Sequence, residues 1–164
     1  MVTAIYPGSF DPVTYGHLDI IYRAYSLFDK VVVGVFTNPD KNPLFSVEER
    51  IALLRKAIPR DDIEIVKFNG LLAEYTKRHG INAVIRGLRA VSDFEYEFQM
   101  ALTNHKLNSQ LETIFLPSRE EYTYLSSSTV KTIAKHGGDI SSFVPSVVAK
   151  ELNDKYLGER LSFR

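Results

Sequence analysis

The chain has 164 residues, of which 45% are hydrophobic and 24% are charged, and its 20 basic side chains balance 20 acidic ones. This length suits a single domain with a full core, and the balanced charge argues against nucleic acid as a partner. The absence of cysteine excludes disulfides, a catalytic thiol and a thiolate zinc site. The N-terminal apolar run is too short for a signal peptide or a membrane span. We therefore expect a cytoplasmic protein without a membrane partner.

The first half of the chain alternates between apolar runs that predict strands and amphipathic runs that predict helices. Strands are expected at 2–6, 31–36 and 63–66, and helices at 18–28, 46–57 and 71–79. A capping box from Ser46 to Glu49 opens the second helix, and Gly80 suits the C-terminal cap of the third. A Pro-rich loop over 37–45 connects the second strand to its helix.

The second half continues the same alternation. Strands are expected at 82–86 and 113–116, and helices at 92–107, 130–136 and 146–156. Ser92 to Glu95 forms another capping box, and the serine-rich run 126–129 can cap the helix that follows it. The polar residues 158–164 suggest a loose C-terminal tail, which leaves 1–157 as the single domain.

Five strands that alternate with helices predict an α/β fold. Each parallel connection needs a crossover, and right-handed crossovers place helices on both faces of the sheet. We therefore expect a Rossmann-like, doubly wound, five-stranded parallel sheet. Ligands of such sheets bind at the carboxyl ends of the strands, so the loops that follow the strands should hold the chemistry.

The connection after the first strand, residues 6–17, is the most informative stretch. Gly8 lacks the Cβ that would block the close approach of a ligand, and the N–H groups of the loop and of the first helical turn can bind an anion. His17 would lie in that turn. The loop has neither the Gly-x-Gly-x-x-Gly pattern nor the Gly-Lys-Ser/Thr ending of a P-loop, so a purely structural turn with an unreactive His17 remains an alternative.

Four potentially cationic side chains follow three of the predicted strands. His17 follows the first strand, Lys41 the second, and Arg86 and Arg89 the fourth. Their convergence on one edge of a protein with zero net charge predicts a polyphosphate site. Taken singly, Lys41 could be a solvated surface lysine, and Arg86 could pair with an acidic residue of the next helix.

The serine-rich run 126–129 has two possible roles. Its side chains can cap the following helix, and the N-terminus of a helix with several extra hydroxyl groups can also bind the β- and γ-phosphates of a nucleotide. The two roles are compatible, since different hydroxyl groups can serve each.

Three segments together resemble the bacterial phosphopantetheine adenylyltransferases. They are PGSFDP at 7–12 with Gly16 and His17, IRGLRA at 85–90 followed by DFEYE at 93–97, and Ser126, Ser127 and Ser128 with Lys131. The Gly-His pair and the serines are shared with the wider nucleotidyltransferase superfamily, whose signature His-x-Gly-His has Thr14 in place of its first His here. The arginine segment is the specific part, and the resemblance covers almost the whole chain.

The resemblance implies that the protein transfers the adenylyl group of ATP to 4′-phosphopantetheine, which gives dephospho-coenzyme A and pyrophosphate in the penultimate step of coenzyme A synthesis. It also implies Mg²⁺ as the companion of ATP and a homohexameric assembly. The long apolar-rich helix over 93–107 is the candidate contact surface of that assembly. Because Mg²⁺ usually binds phosphate oxygens and water, no residue is expected to be a direct metal ligand.

The resemblance further implies a set of site residues. Catalysis would depend on His17, Lys41 and Ser9. ATP would bind to Ser9, Phe10, His17, Gly87, Leu88, Arg89, Glu97, Tyr122, Thr123, Tyr124, Leu125, Ser126, Ser127 and Ser128. The acceptor 4′-phosphopantetheine would bind to Ser9, Lys41, Leu72 and Arg86.

Two other functions remain open from the sequence. One is a related transferase with a different acceptor, such as nicotinamide mononucleotide, or a phospho-alcohol with CTP; Lys41 and the segment 86–89 argue against it. The other is a non-catalytic nucleotide sensor on the same sheet, which would need ATP affinity but neither His17 nor a grip on an acceptor phosphate.

Overall fold

The computed structural model describes residues 1–37 and 42–162, and for 91, 92 and 159–162 it describes the backbone alone. The strands are β1 (Thr3–Gly8), β2 (Lys30–Phe36), β3 (Glu64–Phe68), β4 (Ala83–Leu88) and β5 (Glu112–Pro117). The helices are α1 (Tyr15–Leu27), α2 (Val47–Ala57), α3 (Leu72–His79), α4 (Val91–Leu107), α5 (Ser127–Lys135) and α6 (Ser146–Ser162), with a short 3-10 turn at Glu120–Tyr122. Helices and strands alternate from β1 to α5, as predicted.

The five strands form one parallel sheet in the order β3-β2-β1-β4-β5. The chain moves outwards from β1 to β3, returns to pair β4 with β1, and then moves outwards again to β5. Because crossovers are right-handed, this reversal places α1 and α2 on one face and α3 and α4 on the other. The predicted doubly wound α/β fold is confirmed, and β1 and β4 flank the point where the strand order reverses.

Two apolar clusters cover the two faces of the sheet. The larger cluster packs alternate residues of β1 and β2, such as Ala4 and Val33, against α1, α2, α5 and α6. The smaller cluster packs the intervening residues Ile5, Val32 and Val84 against α3. Strands buried on both faces explain the continuous apolar runs that made them visible in the sequence.

The ends of two helices differ from the sequence-based prediction. Helix α4 begins at Val91 after Ala90, without a side-chain cap, so the predicted capping box at Ser92 is wrong. Because β4 continues to Leu88, only two residues separate the strand from the helix. Helix α6 continues to Ser162 and therefore runs through most of the segment 158–164 that was predicted to be a loose tail. The polarity of that segment suits a solvated helix as well as a coil.

No helix in the described part of the chain is long and apolar enough to cross a membrane.

Candidate active site

The candidate site lies at the carboxyl ends of β1 and β4, where the loop after β1, the end of β4 and the start of α5 come together. Arg86, Gly87 and Leu88 are the last three residues of β4, and Arg86 pairs in register with Phe115 of β5. Gly87 allows α1 to pack closely on the strand, because a Cβ there would lie 3.2 Å from Cγ1 of Ile20. This packing brings the first turn of α1 next to the end of β4.

The loop after β1 has an unusual backbone. Phe10 has a φ of 47°, in the left-handed region that non-glycine residues rarely adopt, and its ring is 98% buried beneath the loop. A Cβ on Gly8 would lie 3.0 Å from that ring, so the glycine makes room for it. Strained backbone of this kind persists where surrounding packing enforces it, and it is common at functional sites. Ser9 lies exposed at the top of the loop.

His17 is held at the start of α1 by a capping box. The side chain of Thr14 accepts a hydrogen bond from the His17 N–H at 3.3 Å, and the Thr14 backbone N–H donates to Nδ1 of His17 at 3.0 Å. A backbone N–H can only donate, so Nδ1 must be the unprotonated nitrogen of the ring. The proton of the neutral imidazole therefore lies on Nε2, which becomes a hydrogen-bond donor.

The imidazole is neutral at ordinary pH. Burial, together with the positive charge of Arg89, lowers the pKa of His17 from 6.5 to about 4. The ring lies against Phe10, with 5.0 Å between the ring centroids, and beside Tyr6. His17 can thus donate one hydrogen bond from Nε2 but does not contribute a positive charge.

The two arginines of the site are oriented by different partners. Arg86 donates to the carbonyl oxygen of Pro7 at 3.4 Å and forms an ion pair with Glu97, with 3.3 Å between Nε and Oε2. Arg89 donates to the carbonyl oxygen of Leu125 at 3.2 Å and lies 3.6 Å from the carboxylate of Asp93. Arg86 is therefore linked to the loop after β1, and Arg89 to the segment that leads into α5.

Glu97, a predicted ATP ligand, lies beside Arg86. Its Oε2 is buried and lacks a hydrogen-bond partner among the described residues, because the contact with Arg86 is an ion pair without hydrogen-bond geometry. Its nearest cation is thus Arg86, a predicted acceptor ligand, rather than Arg89. The hydroxyl group of Tyr6 faces the same region, and burial raises its pKa.

The three serines at the start of α5 have different environments. Ser126 caps the helix by accepting from the Thr129 N–H at 3.1 Å, and Ser127 donates to the carbonyl oxygen of Pro12 at 2.8 Å. In the part of the chain that the structure describes, the exposed Ser128 hydroxyl has no protein partner. Both predicted roles of the cluster are therefore compatible with the structure: capping by Ser126 and an open hydroxyl at Ser128.

The remaining predicted ATP residues form the connection from β5 to α5. Tyr122 ends the 3-10 turn, and its Cβ would lie 3.5 Å from a Cβ on Gly16 of α1. Thr123 donates to the carbonyl oxygen of Arg119 at 3.1 Å, Tyr124 is exposed, and Leu125 is buried. The connection thus lies over the first turn of α1, close to His17.

Two further residues were predicted to bind the acceptor, and the structure describes one of them. Leu72 is the first residue of α3, after the end of β3, and packs partly against the smaller apolar cluster. Lys41 lies outside the described residues. The structure thus brings together the predicted residues that follow β1, β4 and β5.

Sequence reasoning missed three residues that organise the site. Thr14 caps α1, but the usual signal of a capping box is Glu or Gln at the third helical position, where this chain has His17. Asp11 and Arg50 are buried polar residues below the loop after β1. Arg50 lies within an amphipathic helix, where a lone arginine indicates a solvated face, so no sequence signal marks it as buried.

The chain matches the family model described as "Cytidylyltransferase-like" over residues 5–133. Among solved structures, it resembles a Plasmodium falciparum nicotinic acid mononucleotide adenylyltransferase complexed with NaAD, with a TM-score of 0.65 at 16% identity over 97% of this chain and 96% of that one. It also resembles a lipopolysaccharide core biosynthesis protein of Thermoplasma volcanium, with a TM-score of 0.53 at 19% identity over 73% of this chain and 97% of that one. The family match and the fold define the class of this protein as a nucleotidyltransferase.

Comparison with curated relatives shows which family of nucleotidyltransferases the chain belongs to. The chain is 59% identical to the phosphopantetheine adenylyltransferase of Caldanaerobacter subterraneus, over 95% of this chain and 98% of the relative. It is 52% identical to the phosphopantetheine adenylyltransferase of Lachnoclostridium phytofermentans, over 98% of this chain and 99% of the relative. The chain belongs to the phosphopantetheine adenylyltransferase family.

Proposed function

We propose that the protein transfers the adenylyl group of ATP to 4′-phosphopantetheine, with dephospho-coenzyme A and pyrophosphate as products. The activity named for relatives that match nearly the whole chain supports this reaction. The observation that carries the chemical argument is the neutral His17, whose Nδ1 accepts from Thr14, so that Nε2–H is the donor left for a substrate.

The reaction is a direct in-line displacement. An oxygen of the acceptor phosphate forms a bond to the α-phosphorus of ATP, the bond from that phosphorus to the bridging oxygen breaks, and pyrophosphate leaves with the electron pair. The acceptor phosphate is already ionised, so the step needs no general base, and catalysis rests on positioning and charge stabilisation. His17 donates from Nε2 to the α-phosphate oxygens as their charge increases in the transition state.

The two sides of the site suit the two substrates. Arg89 and the open hydroxyl of Ser128, at the N-terminus of α5, are proposed to bind the β- and γ-phosphates of ATP. Ser9 and Arg86 lie on the side of β1, where the acceptor phosphate would approach, and Lys41 is proposed to join them. Glu97 is proposed to bind ATP, and its ion pair would also orient Arg86.

Mg²⁺ is proposed to enter the site with ATP. Among the described residues, no group of three or more acidic or histidine side chains could hold a metal ion. The ion is proposed to be held by phosphate oxygens and water, and its chemistry would be to neutralise charge on the phosphates.

The proposed assembly is a homohexamer, and the proposed location is the cytoplasm. Helix α4 supports the assembly, because Phe94, Phe98 and Leu102 recur every four residues and are all exposed. Such spacing places them on one face of the helix, and an exposed apolar stripe of this kind is typical of an interface.

Pyrophosphate release from ATP and Mg²⁺, measured with and without 4′-phosphopantetheine, tests the proposed function. We expect release that depends on the acceptor and a nucleotide product with the mass of dephospho-coenzyme A. Release that depends instead on nicotinamide mononucleotide or on a phospho-alcohol would contradict the proposed acceptor. ATP binding without release in any of these mixtures would contradict transferase activity.

A further inference from the structure

The carboxylate of Asp11 joins three parts of the chain below the candidate site. Its Oδ1 accepts from the Phe45 N–H at 2.8 Å, while its Oδ2 accepts from the Leu44 N–H at 2.9 Å and from Nζ of Lys131 at 2.8 Å. Asp11 is only 6% exposed. It therefore links the loop after β1 to the segment before α2 and to the middle of α5.

The bonds to Asp11 favour its charged form. Burial by itself raises the pKa of the carboxyl, but the hydrogen bonds from Lys131, Phe45 and Leu44 outweigh this effect and hold the pKa below its ordinary value. Three donors converge on two oxygens, so a neutral amide in the same place would turn an NH₂ group towards at least one of them. The site thus needs a carboxylate rather than a polar side chain of the same size.

A second contact reinforces the link to α5. The hydroxyl of Ser127 donates to the carbonyl oxygen of Pro12, the residue that follows Asp11. Two consecutive residues of the loop are therefore bonded to positions 127 and 131 of α5, one helical turn apart. These two contacts hold the N-terminus of α5 at a fixed distance from the loop that carries Ser9 and Phe10.

Arg50 fixes the same loop from the other side. Its guanidinium is buried, with 3% exposure, and Nη1 donates to the carbonyl oxygens of Ser9 at 2.7 Å and Phe36 at 3.2 Å. Arg50 of α2 thus bridges the Ser9 carbonyl and the end of β2. Together, Arg50 and Asp11 hold the loop between α2 and α5.

We propose that Asp11 is a positioning residue for adenylyl transfer, which fixes the nucleotide side of the site at α5 in register with the acceptor side at the loop after β1. This inference rests on the proposed function. In-line transfer requires the attacking oxygen to approach the phosphorus at about 3–3.5 Å, and a displacement of about 1 Å can lower the rate about a hundredfold. The proposed contacts of the β- and γ-phosphates are at α5 and those of the acceptor phosphate are at the loop after β1, so loss of the register should lower kcat more than it lowers either affinity.

A merely structural role for Asp11 predicts a different result. The stability of the protein would fall, but the folded fraction would keep its kcat. Thr76→Val is a matched control for that case, because the fully buried Thr76 hydroxyl bonds to Ala73 and Asn108 on the opposite face of the sheet. We expect this control variant to be less stable and to keep the wild-type kcat.

The test compares Asp11→Asn, Lys131→Met and the double variant. We expect Asp11→Asn to lower kcat at least about tenfold, with ATP and acceptor dissociation constants within about threefold of wild type. Lys131→Met should change kcat in the same direction. The double variant should be no slower than Asp11→Asn alone, because both substitutions break the same contact.

Several outcomes would overturn the inference. A wild-type protein without acceptor-dependent release refutes the proposed function itself. With an active wild type, a kcat of Asp11→Asn within about threefold of wild type, or losses that multiply in the double variant, refutes the positioning role. If Asp11→Asn does not fold, Lys131→Met, at a partly exposed position, provides the test. An unchanged kcat of Lys131→Met, or a loss of ATP affinity alone, would refute the positioning role of Asp11.

Discussion

The role of His17 follows from one bond to its Nδ1. The Thr14 N–H occupies that nitrogen, so the only donor that the ring can offer a substrate is Nε2–H. For His17→Ala we expect kcat to fall about a hundredfold to a thousandfold, as when a single transition-state donor is removed elsewhere, with ATP affinity nearly unchanged. Steady-state kinetics and ATP titration provide the measurement. The exposed His79 on α3 supplies the control, since His79→Ala should keep full activity.

The low pKa of His17 also predicts how stability depends on pH. The pKa is about 4 in the folded protein and 6.5 when the ring is free, so between these values the unfolded chain binds a proton that the folded chain does not. The free energy of unfolding should therefore decrease as the pH falls from about 6.5 to about 4. Urea unfolding at pH 7 and pH 5 measures this decrease. The decrease should be smaller in His17→Ala, and equal slopes in the two proteins would argue against a buried neutral ring.

Lys41 lies outside the described residues, and its role remains a prediction from the sequence. If it binds the acceptor phosphate, Lys41→Ala should weaken 4′-phosphopantetheine binding about tenfold or more, the magnitude of a charge-assisted hydrogen bond, while ATP binding changes little. Isothermal titration with each substrate measures both affinities. Equal losses for the two substrates would argue against the proposed division of roles.

At the scale of single elements, packing against β2 leaves no room for a side chain at Gly34. A Cβ there would lie 2.9 Å from Cδ1 of Ile5 and 3.0 Å from the ring of Phe68, and both neighbours are buried. We expect Gly34→Ala to lower the free energy of unfolding by about 1–3 kcal/mol, as overpacking of a core usually does. Urea denaturation measures the change. Gly158→Ala is the matched control: nothing lies within 4 Å of its Cβ, so this helical substitution should stabilise the protein slightly.

The sequence predicted the elements well because the inner strands β1, β2 and β4 are largely buried and therefore read as apolar runs, and the more exposed edge strands β3 and β5 still contain several apolar residues. The sequence was a poorer guide to the residues at which the strands end. Strands β1, β3 and β4 each continue two residues beyond their predicted ends, since ladder hydrogen bonds extend past the apolar residues that mark a strand. Hydrogen bonding to a neighbouring strand is a tertiary property, so a single sequence does not reveal where it stops.

The candidate site also combines features that the local sequence reveals with features that depend on tertiary contacts. Residues that follow strands, such as His17 and Arg89, could be assigned to one edge of the sheet from topology alone. The partners that orient them could not, because Asp11 and Lys131 are 120 residues apart in the chain and nothing in their local sequence links them. Long-range contacts between buried polar groups become visible only in the folded protein.

At the scale of the whole molecule, the exposed stripe on α4 predicts the assembly. Leu102 is 58% exposed, and Leu102→Glu should break a homohexamer into smaller species because it places a charge in an apolar contact. Light scattering after size exclusion should give six times the 18.6 kDa mass of the chain for wild type and a smaller mass for the variant. Leu27→Glu, at the equally exposed end of α1, is the control and should leave the mass unchanged. A monomeric wild type would contradict the proposal.

The position of β1 in the sheet has a consequence for the order of synthesis. Strand β1 and His17 emerge first from the ribosome. Strand β4, which pairs with β1 next to the site, begins about 80 residues after the start of β1, and α5 follows β4. A nascent chain that ends at residue 117 contains His17 and both arginines but lacks Ser128 and Lys131. Nucleotide binding by ribosome-bound chains of increasing length should thus appear only after α5 has left the exit tunnel, close to the completion of the domain.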